Sequence, residues 1–68
     1  GLVYLIVNNF SDTPMHYQLT DIKGKKLIDN HPIISDKTEI DLSLFPAGIY
    51  FITVADYTRS KVIKIIRN

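Results

Sequence analysis

The sequence predicts an all-β fold, a small antiparallel immunoglobulin-like β-sandwich of about six to seven strands. Short runs in which apolar and polar residues alternate recur about every ten residues, with turn residues between them. No longer window keeps the 3.6-residue period of an amphipathic helix. A crossover helix therefore has no place in the chain, which excludes an α/β fold built from βαβ units.

The 68 residues accommodate one domain, which we expect to span residues 1–68 at the end of a longer chain. A chain of this size buries only about 60% of the surface that its unfolded form exposes. Cysteine is absent, so disulfides cannot add stability, and the apolar residues, 46% of the chain, must supply the core.

The residue types needed for chemistry do not form a catalytic or cofactor-binding pattern. No serine stands in a Gly-x-Ser-x-Gly elbow, and the scattered glycines form no phosphate-binding loop. His16 and His31 lie in separate segments, which does not suit a zinc site. We therefore predict a protein that is not an enzyme and that uses no cofactor and no metal.

Basic residues are concentrated at the end of the chain, although the net charge is only +1. No acid follows Asp56, whereas Arg59, Lys61, Lys64 and Arg67 are all basic. These side chains are either solvated charges that protect an edge strand or a basic docking stripe. No aromatic residue lies among them for bases to stack on, so we predict no nucleic-acid partner.

The first two predicted strands are residues 2–7 and 16–22. The first is apolar on both faces, as expected of a central strand covered on both sides. In the second, Tyr17 and Leu19 share the face predicted to point inward. Between these strands, a turn is predicted from the residues Asn8, Asn9, Ser11, Asp12 and Pro14.

A tight hairpin is predicted next. Asp21 and Gly24 occupy the first and fourth positions of a type I turn, and positive φ at Gly24 gives a G1 bulge. The return strand runs over residues 25–30 and is expected to end at the His31-Pro32 pair. Residues 33–34, two isoleucines, are expected to close one end of the core.

The fourth strand, residues 38–42, alternates between inward Ile40 and Leu42 and outward acids. After it, Ser43 is expected to cap a single helical or 3₁₀ turn. Pro46 prevents that turn from extending, and Gly48 permits the reversal into the next strand.

Two strongly alternating strands complete the chain, residues 49–55 and 61–67, with a turn at 56–59. Each strand places one set of side chains inward and the other set outward. The two sets of the fifth strand are Tyr50, Ile52 and Val54, and Phe51 and Thr53. The two sets of the sixth are Ile63 and Ile65, and Val62, Lys64 and Ile66.

Three stretches resemble a known family in sequence, order and spacing. They are Asp21-Ile22-Lys23-Gly24-Lys25, a Leu-x-x-x-Pro-x-Gly-x-Tyr segment over residues 42–50, and Lys61-Val62-Ile63-Lys64-Ile65. Together they resemble the type A C-terminal sorting domain of the type IX secretion system of Bacteroidota. The resemblance covers nearly the whole chain, but the family's opening strand with its Pro-Asn-Pro motif is not among these residues.

The resemblance implies a secretion signal without catalytic activity. Such a domain is attached to the C-terminal side of a cargo domain, and the protein passes through the periplasm. The outer-membrane translocon recognises the sorting domain, and a sortase-like peptidase then removes it. The cargo ends at the cell surface or is secreted. By this resemblance, the sorting-motif residues are Asp21, Gly24, Lys25, Pro46, Gly48, Tyr50, Lys61, Lys64 and Ile65.

Alternatives remain open at this point. The glycines and Tyr50 are also explained by backbone geometry and core packing, and the lysines by solvation. The chain could instead be an immunoglobulin-like spacer or a carbohydrate-binding accessory module of a cell-surface protein, with Tyr57 as the candidate aromatic contact. An exposed edge strand would also permit pairing of two copies into a homodimer.

Overall fold

The computed structural model describes residues 1–7 and 14–68, which form two antiparallel sheets. The strands are β1 (Leu2–Ile6), β2 (Met15–Asp21), β3 (Lys26–Ile33), β4 (Lys37–Asp41), β5 (Gly48–Ala55) and β6 (Ser60–Arg67). One sheet pairs β1 with β4, and the other has the order β3-β2-β5-β6. The predicted all-β architecture with two sheets is confirmed. The turn predicted from Asn8, Asn9, Ser11 and Asp12 lies outside the described residues.

The core is formed by buried apolar side chains from both sheets. The central strands β2 and β5 contribute alternate residues, as the period-2 pattern predicts. Ile63 and Ile65 of β6 are half-buried and pack against this core. The buried side chains are Leu5, Tyr17, Leu19, Ile33, Ile40, Leu42, Tyr50 and Ile52.

Strand β1 is not the doubly covered central strand that its composition predicts. Among the described residues it pairs with β4, and its outward side chains Leu2, Tyr4 and Ile6 are at least half exposed. Only the opposite set, represented by buried Leu5, faces the core. Apolar residues on both faces therefore do not by themselves determine whether a second layer covers a strand.

Strand β3 continues through the His31-Pro32 pair, so the strand end predicted there is wrong. Because β3 is at the end of the sheet order, the missing N–H of Pro32 need not interrupt the ladder to β2. The register with β2 shifts just before this pair, and Asn30 adopts a positive φ of 44°. A bulge at this edge accommodates the irregular backbone.

The end of the core is closed by one isoleucine and not by two. Ile33 is buried, whereas Ile34 is 84% exposed, so the prediction for Ile34 is wrong. Consecutive side chains of an extended chain point in opposite directions, and only one of the two can therefore face the core.

The segment after β4 forms a single turn with the i→i+3 hydrogen bond of a 3₁₀ turn, as predicted, but Ser43 does not cap it. The amide of Phe45 donates to the carbonyl oxygen of Leu42 at 3.0 Å. Asp41, and not Ser43, provides the side-chain acceptor, because its Oδ1 accepts from the Ser43 amide at 2.9 Å. The side chain that caps the turn therefore belongs to Asp41, the last residue of β4.

Candidate functional site

Most of the sorting-motif residues converge at one end of the four-stranded sheet. Asp21 pairs with Tyr50, and Gly48 pairs with Arg67. The β2–β3 turn, the loop before β5 and the end of β6 therefore lie at the same end of the sheet. Lys61 pairs with Val54 and so lies toward the opposite end.

The Asp-x-x-Gly-Lys motif closes the β2–β3 hairpin. The Gly24 amide donates to the carbonyl oxygen of Asp21 at 3.0 Å, and Gly24 has a φ of 85°. Oδ1 of Asp21 accepts from the amides of Lys23 and Lys25, both at 2.9 Å. The predicted turn is thus confirmed, and Lys25 contributes its backbone while its side chain is exposed.

The Pro-x-Gly-x-Tyr part of the second motif forms a loop that is held against the core. The buried Tyr50 donates a hydrogen bond from its hydroxyl to the carbonyl oxygen of Pro46. Between them, Gly48 has a φ of 156°, a backbone conformation that side-chain-bearing residues rarely adopt. The Phe45 ring packs beside Tyr50, with 6.2 Å between ring centroids. Each motif residue here has a part in folding.

Two further aspartates have the same backbone-capping role, which the motif comparison did not reveal. Hydrogen bonds from the Ser43 side chain and amide lower the pKa of Asp41. Hydrogen bonds from the amides of Thr58 and Arg59, and from the Thr58 hydroxyl, lower the pKa of Asp56. The signal in the sequence is an aspartate two residues before a serine or threonine at a strand end. Both carboxylates therefore accept hydrogen bonds from the turns that directly follow them in the chain.

The two motif lysines of β6 lie on opposite faces of the sheet. Lys61 pairs with Val54 and follows the alternation of Ile63, whose side chain faces the core. Lys64 pairs with Phe51, and both side chains lie on the outward face of the sheet. Both lysines are exposed. The basic residues of the last strand are therefore divided between two surfaces.

The outward face of the four-stranded sheet carries exposed apolar residues that the motifs do not include. Val62 is 61% exposed and Ile66 is 64% exposed. Ile49 and Phe51, on the neighbouring strand, are half-buried. The signal for this surface in the sequence is that β6 has apolar residues at both alternating sets of positions.

Neither a metal centre nor a membrane span is found in the described part of the chain. Within residues 1–7 and 14–68, no three His, Cys, Asp or Glu residues are grouped as a metal ion would require. The same residues contain no helix with the length and apolarity needed to cross a bilayer.

Comparison with known families shows a match to a family described as Secretion system C-terminal sorting domain, over residues 2–68. The chain belongs to this family of type IX sorting domains. No match was found among curated proteins or among solved structures. The family confirms the resemblance carried by the three motif stretches, all of which lie within the matched range.

Family membership supports a C-terminal signal for type IX secretion and interaction with the machinery of that system. A type IX sorting domain implies export of its protein to the cell surface or the medium. Sorting domains of this family are generally non-catalytic. In this sorting domain, the turn at Asp21 and the loop at Pro46 form one structural unit at the sheet end.

Proposed function

We propose that this sorting domain directs a periplasmic cargo protein through the outer-membrane type IX translocon. A sortase-like peptidase then removes the domain, and the cargo is anchored at the cell surface. The observation that carries this proposal is the family match over residues 2–68, which includes all three motif stretches.

The signal is a folded domain and not a linear peptide. The Tyr50 hydroxyl donates to the carbonyl oxygen of Pro46 while the Tyr50 side chain is buried in the core formed by both sheets. Asp21 likewise pairs with Tyr50 across two neighbouring strands. Residues distant in the sequence must therefore assemble before this end of the sheet exists, and unfolding would remove the signal.

Strand β6 supports recognition by strand addition. It is at the end of the sheet order and pairs with β5 on one side. The backbone N–H and C=O groups on the other side can hydrogen-bond to an extended segment of a partner. The basic side chains of this strand would then select the partner and its register by charge.

A reporter fusion tests the proposal. Residues 1–68 are placed at the C-terminus of a fluorescent protein that is directed to the periplasm of a bacterium with type IX machinery. We expect fluorescence at the cell surface or in the medium, and retention in a strain without the translocon. If a folded fusion stays in the periplasm of the competent strain, the sorting proposal is wrong and the spacer interpretation takes its place.

Truncation before Lys61 is a second arm of this experiment. It removes Ile63 and Ile65, which pack against the core, so loss of export could follow from unfolding. Circular dichroism of the purified fusions separates the two causes. A truncated domain that unfolds and is retained supports a folded signal, whereas export of the truncated fusion would show that β6 is dispensable.

A further inference from the structure

We propose that the outer sheet face, defined as Ile49, Phe51, Val62, Lys64 and Ile66, is the surface by which this domain docks on its partner. The occupant is a protein surface with apolar side chains that places a carboxylate against Lys64. The inference rests on the proposed function, because the partner belongs to the secretion machinery.

The register of β5 and β6 places these side chains on one surface. Ile49 pairs with Ile66, and Phe51 pairs with Lys64. The alternate residues Tyr50 and Ile52 of β5 are buried in the core, and Ile63 and Ile65 of β6 are half-buried against it. The outer sheet face is thus contiguous across β5 and β6, and it continues to β2 through the pairing of Thr20 with Phe51.

The exposure of this face is unusual for the wet side of an antiparallel sheet. The solvent-facing positions of such a sheet are normally occupied by polar residues. Here Val62 and Ile66 are both more than half exposed, and they adjoin the half-buried Phe51 and Ile49. A contiguous apolar surface with a polar margin, here Thr20 and its neighbours on β2, is typical of a protein–protein contact.

Charge distinguishes among the possible occupants. On β2, β5 and β6, which the structure describes completely, the outward positions include no Asp or Glu. Lys64 lies in the middle of the apolar residues, directly opposite Phe51. A second copy of the same face would oppose lysine to lysine, which is unfavourable. An ammonium group covered by apolar surface needs a carboxylate partner, so a partner with an acidic residue fits best.

The outward face of the β1–β4 sheet provides a contrast. It also exposes apolar side chains, but there Tyr4 pairs with Glu39, and Ile6 pairs with Lys37. The Lys37 ammonium lies 4.5 Å from the centroid of the Tyr4 ring. On this face each exposed apolar residue of β1 is paired with a charged residue, whereas on the outer sheet face Ile66 pairs with Ile49 and Val62 with Thr53. The β1–β4 face therefore supplies control positions.

The first test uses charge reversal in the reporter fusion. We expect Lys64→Glu to lower export by about tenfold or more, since like charges would then face each other at the partner. Lys37→Glu makes the same charge change on the β1–β4 sheet and should leave export within about twofold of the original. The Lys61 side chain is on the opposite face of β6. We therefore expect the Lys61→Glu fusion to be exported more efficiently than the Lys64→Glu fusion.

The second test removes apolar contact without removing a strand-forming residue. Ile66→Thr keeps a β-branched side chain on the outer sheet face, and Ile6→Thr makes the same change on the other sheet. The two isoleucines are matched in exposure, at 64% and 60%. We expect a severalfold loss of export for Ile66→Thr only.

Each outcome has a defined meaning, provided that thermal melts show the variants folded. If Lys64→Glu destabilises the domain, Lys64→Gln removes the charge more gently and is used in its place. Export of the original fusion together with full export of the Lys64 and Ile66 variants overturns the docking inference and leaves the sorting function intact. Failure of the original fusion overturns the sorting function itself.

Two results would replace the proposed occupant. Equal loss for Lys61→Glu and Lys64→Glu would show that the charge of β6, and not the outer sheet face, determines export. A concentration-dependent dimer in sedimentation experiments, abolished by Ile66→Thr, would show that a second copy covers the face. Either result overturns the inference.

Discussion

The hydroxyl of Tyr50 donates a hydrogen bond to the backbone carbonyl oxygen of Pro46, four residues earlier in the chain. The ring of Tyr50 is buried, and the ring of Phe45 packs beside it. The bond therefore ties the irregular loop before β5 to the core of the sandwich. It also explains the tyrosine of the motif and its spacing from position 46, because the Tyr50 hydroxyl is the donor to the backbone carbonyl at that position.

Removal of this hydroxyl should destabilise the domain without changing its fold. Tyr50→Phe leaves the Pro46 carbonyl without its donor, and we expect a loss of about 1 kcal/mol in the free energy of unfolding. In a domain of this size, that corresponds to a fall in Tm of about 4–8 °C. Tyr57→Phe, at an exposed turn position, is the matched control and should melt like the original. Equal melting of the two variants would contradict the role of the Tyr50 hydroxyl.

The β2–β3 turn should depend on the backbone freedom of Gly24. A Cβ at this position would meet open space, so the cost of Gly24→Ala comes from the positive φ of 85° and not from a clash. We expect a loss of about 1 kcal/mol, measured by chemical denaturation. Gly24→Asn should lose less, since asparagine tolerates this conformation. The explanation fails if alanine is tolerated better than asparagine.

Core truncation should be severe because the domain is small. Leu19 is fully buried between the sheets, and Leu19→Ala should cost about 2–5 kcal/mol. A loss of that size is comparable to the whole stability of a small domain, so we expect the variant to be largely unfolded by circular dichroism. Leu44→Ala removes the same atoms at a site that is 89% exposed and should fold normally. A folded Leu19→Ala variant would indicate a looser core.

Acid should weaken the domain through Asp56. Hydrogen bonds from the Thr58 and Arg59 amides hold the pKa of Asp56 below its ordinary value. Its carboxylate therefore stabilises the fold above the ordinary aspartate pKa of about 3.9, and this contribution is lost as the pH falls through the lower folded-state pKa.

The measurement is Tm as a function of pH for the original domain and for Asp56→Asn. We expect Tm of the original to fall between about pH 5 and pH 2, and the fall to be smaller in the variant, which has no carboxyl group at this position. Identical slopes for the two proteins would show that Asp56 does not contribute to the acid sensitivity.

Local features of the fold are predictable from the sequence because neighbouring residues form them. The turn from Asp21 to Gly24 is closed by hydrogen bonds within five residues. The inward positions of Tyr17 and Leu19 follow from alternation, since successive strand residues point to opposite faces and the other face of β2 is polar. The sequence likewise predicts that Gly24 and Gly48 serve the backbone geometry, and both have positive φ.

The errors occurred where a residue's environment depends on distant parts of the chain. Pro32 signals a strand end in isolation, but it is tolerated in β3 because β3 is an edge strand. Ile33 and Ile34 are identical in type, and only the position of the second sheet determines which one is buried. Leu2 and Tyr4 are exposed for the same reason, since apolar character does not reveal what covers a face.

The same division applies to the candidate site. The amino-acid sequence is sufficient for predicting the strand periods, the turns and the three motifs, because these depend on local backbone preferences and on residue order. It also grouped Lys64 with Val62 and Ile66 on one face of β6 by alternation. Which of the two faces of β6 is packed and which is free depends on how the two sheets are placed in three dimensions. The reason is that burial depends on the other sheet, whose strands lie far away in the sequence.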